Sequence, residues 1–288
     1  MGIFEPLSRA ERQDVLAQYL GYLRRRDGAI DYQGRTLSRR EERKKRFQAS
    51  PARWQGPVDA AAFHRNHAAK RPEPRLDPLM LWLLATAKAN RGERYGVEAG
   101  YRAGYSGRSS DPCEAYVETE EFYHSQILAD VVRDFGIEMQ FLPPGTTSRL
   151  AINSMVHLPS VLSVPVILCA EAAGCAAFQM LLDKGVELTA SQPAVQARVR
   201  ELFGEILTDE IGHVVYCRAR MGALGLSASR VMMRGIVEAL ISDIPEFLQL
   251  FPRQELLERI ERFDVASFAS ACLEAPFWPE RASARAAA

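Results

Sequence analysis

Glu120-Glu121-Phe122-Tyr123-His124 and Asp209-Glu210-Ile211-Gly212-His213 decide how this chain of 288 residues reads. Both strings have the form acid-Glu-x-x-His, and both lie in long stretches whose apolar residues recur at helical spacing. Positions i and i+3 share a helix face, so each string sets a carboxylate and an imidazole side by side. One such pair supplies half of a metal site. Two pairs, with one further Glu from each of two other helices, describe a di-metal carboxylate centre inside a four-helix bundle.

The helices around the strings are marked by their start signals. Asp77-Pro78 and Asp111-Pro112 each join an N-cap acid to a proline at the first helical position. They predict one helix from 78 to about 101 and another from 112 to about 135, with 104–110 as loop. A third helix is expected over about 149–184, with a break near Pro159, and a fourth over about 194–221. Shorter helices are expected at 8–26, 38–47, 58–69, 228–250 and from Pro252 to about 273. No segment carries a strand pattern, so the fold class is all-α. The chain divides into a basic N-terminal helical arm, 1–76, a bundle with C-terminal helices, 77–275, and a disordered tail, 276–288.

Hairpin geometry extends the ligand set. The first helical pair turns near residue 108, and Glu121 and His124 lie 13 and 16 residues beyond that point. An antiparallel partner at the same height falls near 92–95, which selects Glu93. Glu98 competes, five residues nearer the loop and about 7.5 Å further along the helix. The second pair turns near residue 188, with Glu210 and His213 after it and Glu171 before it. Glu171 is the one acid between Glu138 and Asp183. A carboxylate in so apolar a stretch must be paired or metal-bound. Asp209 and Glu120, each one residue before a ligand Glu, are placed to accept the second ring N–H of a ligand His on the facing helix. Leu128, Cys175 and Cys217 each lie one turn beyond a ligand and are pocket candidates. Met139, Phe141, Phe178 and Met180 are weaker ones, since apolar residues at helical spacing are usually core. His157 reads as a pocket or core histidine, and His64 and His67 as surface residues.

Four carboxylates and two imidazoles are hard oxygen and borderline nitrogen donors, a mixture suited to iron or manganese. The set Glu93, Glu121-x-x-His124, Glu171 and Asp209-Glu210-x-x-His213 resembles the ligands of the ferritin-like di-iron carboxylate proteins. That resemblance covers about residues 77–222. It implies a ferritin-like four-helix bundle, two iron ions (with manganese–iron not excluded) and dioxygen as co-substrate. It specifies the site well and the substrate poorly. Departures narrow the subgroup. A radical-bearing Tyr one turn after the first ligand His is replaced by Leu128, with Cys217 at the matching place after His213. The Thr found one turn after the third-helix Glu in many hydroxylases is Cys175, and the extra His of arylamine N-oxygenases is Ile206.

Composition limits the setting. The net charge is zero, yet residues 1–76 hold 17 Lys+Arg against 9 Asp+Glu. The bland reading of this surplus is an arm packed on an acidic bundle. The sharper one is a docking surface for an acidic partner, such as a carrier protein or RNA. Five cysteines without a CxxC pair suggest reduced thiols and a cytoplasmic setting. No signal peptide is expected, and the apolar window Val161–Leu182 reads as a buried helix in place of a membrane span. The expected function is a non-haem di-iron oxidoreductase. It would activate O2 to hydroxylate, N-oxygenate or desaturate a small-molecule or carrier-tethered substrate with an apolar part. No flavin or nicotinamide motif is present, so an external electron donor is implied, and a homodimer is expected. The alternatives are a ferroxidase or iron-handling protein, and a non-catalytic helical binding protein.

Overall fold

The structure, a computed structural model, describes residues 2–31, 35–49, 52–102 and 111–279. Its helices are α1 (Arg9–Asp27), α2 (Ser38–Ala49), α3 (Ala60–Ala68), α4 (Pro78–Arg102), α5 (Pro112–Arg133), α6 (Thr146–Met155), α7 (Ser160–Leu188), α8 (Pro193–Ala219), α9 (Ala223–Ser242), α10 (Pro245–Leu250), α11 (Arg253–Arg262) and α12 (Val265–Ala269). A two-residue antiparallel ladder joins β1 (Ile30–Asp31) to β2 (Thr36–Leu37). The described residues are otherwise helical or irregular, so the fold is all-α.

The start signals act as the chemistry requires. Asp77 Oδ1 accepts the Met80 amide at 2.9 Å, and Asp111 Oδ1 accepts the Cys113 amide at 3.0 Å. At α1, Ser8 and Glu11 form a reciprocal capping box. The loop expected at 104–110 lies outside the described residues. The third expected helix is two helices, because Pro159 ends the run and α7 starts afresh at Ser160. The stretch expected at 228–250 likewise divides at Pro245, and the last one at Phe263, which turns with φ 30°.

The four long helices close a ring. α4 packs on α5 and α7, and α8 packs on the same two. Trp82 Nε1 donates to the Leu181 carbonyl at 2.7 Å across α4–α7, and Asn90 Nδ2 to the Ser125 carbonyl at 2.9 Å across α4–α5. α1 lies against α5 and α8, while α9 and α11 cover α7. One buried apolar cluster runs from Ile3, Tyr19, Leu23, Leu37 and Phe63 through Trp82, Leu128, Phe178 and Phe203, so residues before 77 share the bundle's core. Phe277 and Trp278 are placed too, Phe277 against Tyr19 and Tyr22, and Trp278 against Phe263. Residues 280–288 lie outside the described residues.

α7 is the one helix among the described residues long and apolar enough to cross a membrane, and more than half of that window is buried inside the protein. His157 is exposed in the turn after α6. His67, expected at the surface, is buried: it stacks on Phe63 at 5.4 Å, and its Nε2 accepts from Arg91 Nε at 3.2 Å. The i, i+3 pair with His64 had hidden this, because α3 packs against α4 on the His67 side.

Candidate metal centre

Each ring helix sends carboxylates inward. Glu93 comes from α4, Glu121 and His124 from α5, Glu171 from α7, and Glu210 and His213 from α8. They meet as two overlapping quartets. One is Glu93, Glu121, His124 and Glu210; the other is Glu121, Glu171, Glu210 and His213. Within each, one donor atom per residue lies within 4.8 Å of all the others. Glu121 and Glu210 belong to both. Glu98, the competitor of Glu93, is exposed and bonded to Arg94 at 2.8 Å.

The imidazoles are fixed from behind by a crossed pair of acids. His124 Nε2 lies 2.8 Å from Asp209 Oδ2, and His213 Nε2 lies 3.0 Å from Glu120 Oε2. Each string thus supplies the carboxylate that orients the other string's histidine. With Nε2 turned to these acids, each Nδ1 faces the carboxylates of the cluster. His213 Nδ1 lies 2.8 Å from Glu121 Oε1 and 3.3 Å from Glu171 Oε2; His124 Nδ1 lies 3.3 Å from Glu210 Oε1 and 3.5 Å from Glu121 Oε2. None of these approaches has hydrogen-bond geometry. His124 Nδ1, His213 Nδ1 and Glu121 Oε1 are buried without a hydrogen-bond partner among the described residues. Converging donor atoms with no protein partner fit a metal ion.

The electrostatics agree with that fit. Burial and then the charge of Glu121 push Glu93 well above the usual carboxylate range, and burial raises Glu210 to about 8 against the opposing pull of His124. Burial alone would lower His124, but Glu121, Asp209 and Glu210 outweigh it and hold its pKa well above the ordinary value. Without a cation, then, the cluster keeps protons to relieve repulsion among four acids. Two divalent ions would replace those protons and nearly neutralise the carboxylates. Burial, followed by the Glu171 charge, pushes the Cys217 thiol well above its usual pKa, and Cys217 belongs to neither quartet.

Behind Asp209 lies a buried ionic network that the sequence reading did not foresee. Arg40 forks onto Asp209 at 3.1 and 2.6 Å, and Arg26 pairs with the same carboxylate. Arg40 and Arg43 each lie 2.9 Å from Glu205, one turn before Asp209, and Arg43 also pairs with Asp27. Burial opposes the ionised form of Asp209, but Arg26 and Arg40 hold its pKa well below the carboxylate range. Part of the basic surplus of residues 1–76 is therefore spent inside the protein. The signal was present in the sequence: Arg40, Arg43 and Phe47 at i, i+3 and i+7 mark one inward face, and Glu205 and Asp209 at i and i+4 mark another.

A cavity of about 480 Å³ opens from the carboxylates of Glu93, Glu121, Glu171 and Glu210. That opening explains why Glu93, Glu121 and Glu171 are only half-buried while both histidines are fully buried. Its walls come from α4, α5, α7 and α8, and α6 and α9–α11 cover it. Cys217 and Phe178 line it. Leu128 and Cys175, expected as pocket residues, do not; both are fully buried in the core. Cys217 stands in the same relation to His213 as Leu128 does to His124, so the one-turn spacing alone does not decide which side chain faces the space between helices. Met139 and Phe141 line a separate groove beside Arg94, and Met180 is core.

No family model, curated protein or solved structure matches this chain.

Proposed function

We propose that this chain is a ferritin-like, non-haem di-iron oxidoreductase that uses O2 to oxygenate an organic substrate with an apolar part. The observation that carries this reading is the pair of quartets sharing Glu121 and Glu210, with both histidine Nδ1 atoms unpaired and aimed inward. Glu93, Glu121 and His124 with Glu210 would hold one ion, and Glu171, Glu210 and His213 with Glu121 the other. Bound ferrous ions would supply dioxygen activation.

The chain's own residues do the rest. Asp209 and Glu120 hold each imidazole in the tautomer that leaves Nδ1 free to ligate. Arg40 and Arg26 keep Asp209 ionised for that task. The cavity would lay the substrate's apolar part against the carboxylates. Inserting one oxygen atom and reducing the other to water consumes two electrons and two protons beyond those of the substrate bond. An external electron donor provides them, because the chain carries no flavin or nicotinamide motif. The cavity also weighs against a ferroxidase, which needs an ion path and not a large aliphatic chamber.

Anaerobic loading with ferrous iron tests the centre. About two irons per chain are expected, falling to one or fewer in Glu171→Ala and His213→Ala. Absence of tight iron, or an unchanged count in both variants, would overturn the site. Oxygen consumption that depends on an aliphatic substrate then separates the oxygenase from the ferroxidase.

A further inference from the structure

Six of the ten large apolar side chains that stand exposed among the described residues lie on α6, the turn after it, the start of α7, and α9. They are Leu150, Leu158, Val161, Leu162, Leu224 and Val231, and they are 40–89% exposed. Single apolar side chains on a surface need no explanation, but a cluster marks a contact face. Residues 157–162 are exposed without interruption, so the α6–α7 turn projects from the bundle. That tip sits in a run, 150–170, without one Asp, Glu, Lys or Arg. α9 lies beside it. Ser229 Oγ donates to the Pro165 carbonyl at 3.0 Å, and Cys169 Sγ to the Ser229 carbonyl at 3.2 Å. Leu224 and Val231 flank that contact along α9. With Ala228 they share one outward helix face at i, i+4 and i+7.

The charges of these segments have one sign. Residues 139–170 and 211–237 contain no Asp or Glu, although at the chain's average of one acid in eight residues they would carry about seven. Their outward cations are Arg230 and Arg234 on α9, with Arg149 on α6 half-buried and bonded to the Thr146 hydroxyl at 3.3 Å. The Arg234 side chain is 79% exposed and reaches Glu238 only at 3.9 Å. Glu238, the first acid beyond the second segment, lies 2.9 Å from Arg253 and is already paired.

These features choose the occupant. A second copy docked on the same face about a twofold axis would set arginines against arginines, with no acid in either segment to answer them. An uncharged aliphatic tip beside arginines matches instead the acyl boundary and anionic head groups of a lipid bilayer. We propose that this face docks on an anionic bilayer, with Leu158, Val161 and Leu162 among the acyl chains and Arg230 and Arg234 on the head groups. The protein then lies on the membrane and does not span it. The placement bears on the cavity, because Ala151, Ile152 and Met155 of α6 line it from within while Leu150 faces out. No residue of α6 is buried, so a single exposed helix separates that part of the cavity from the docked surface. The proposal needs neither the metal centre nor the oxygenase reading.

Flotation of the full chain with phosphatidylcholine vesicles, with and without phosphatidylserine, tests it. Binding is expected to the phosphatidylserine vesicles, weakening as salt rises. Leu162→Asp and Val161→Asp should each weaken it about tenfold or more, with thermal melts to show that these exposed substitutions keep the fold. Arg230→Glu with Arg234→Glu should remove the preference for phosphatidylserine. Lys45→Glu with Arg46→Glu, exposed on α2, should change nothing. A loss there that the α9 double variant does not share would move the docking surface to the basic arm and overturn the proposal. No binding to either vesicle would also overturn it, as would unchanged binding in folded Leu162→Asp and Val161→Asp. A dimer in analytical ultracentrifugation that Leu162→Asp dissociates, without vesicle binding, would assign the face to a second copy instead. Binding to soluble polyglutamate as tight as to vesicles, and untouched by Leu162→Asp, would assign it to an acidic protein.

Discussion

At the scale of single residues, the most consequential are the acids one position before Glu121 and Glu210. Glu120 orients His213, and Glu120→Gln removes a charged acceptor from a ligand's far nitrogen while keeping the shape. Iron affinity should fall about 10–100-fold with the fold retained, read by titration with a competing chelator. Asp209 has a second duty, because Arg26 and Arg40 converge on it. Asp209→Asn strips a buried guanidinium pair of its main counter-charge and should cost about 3–5 kcal/mol in unfolding free energy, measured by urea denaturation. A loss under 1 kcal/mol would show that Glu205 and Glu120 suffice to hold those arginines. His67 gives a pH signature of its own. Burial, with Arg91 and Lys88 nearby, lowers its pKa from 6.5 to about 3. Between those values the unfolded chain binds the proton and the folded chain does not. Stability therefore falls as pH drops through that window, by up to about 1.4 kcal/mol per pH unit. His67→Gln should flatten the acid limb of the Tm–pH curve, and an unchanged limb would contradict this.

At the scale of elements, close helix contact is decided by a few small residues. A Cβ on Gly185 of α7 would stand 2.5 Å from Trp82 and 2.9 Å from Val199, on α4 and α8. Gly185→Ala gains about 1 kcal/mol of helix propensity but forces three helices apart, at a typical cost of about 1–3 kcal/mol. The net change should be destabilising, with a thermal melt as the check. The helices themselves were legible in the chain. Asp-Pro starts, the break at Pro159 and the 3.6-residue apolar period place α4, α5, α7 and α8 within a few residues of their observed ends. What could not be read was how short segments subdivide. The break at Pro245 is a proline signal of the same kind as that at Pro159, whereas the split at Phe263 depends on how α11 and α12 pack on α7 and α8, which local propensity does not encode.

At the scale of the whole molecule, α1 and α2 are part of the centre's support. Removing residues 1–49 would delete Arg26, Arg40 and Arg43 and leave Glu205 and Asp209 buried without their cations. Such a chain should lose cooperative thermal unfolding and become sensitive to protease, whereas a shell that merely covers the bundle could be removed with little effect. Helical period and hairpin arithmetic already pointed to Glu93, Glu121, His124, Glu171, Glu210 and His213, which the fold brings together, because side chains that meet from straight helices obey spacing along one axis. Leu128 and Cys175 were misplaced by the same logic, since a cavity lies between helices and spacing along one helix does not say which side faces it. The sequence alone determined an all-helical chain and a set of carboxylates and imidazoles on shared helix faces. Only tertiary packing decided which acid stands behind which histidine, that the basic arm is spent on Asp209 and Glu205, and that a glycine-lined cavity opens beside Glu93. Those depend on contacts between residues far apart in the chain, whose pairing no local pattern carries.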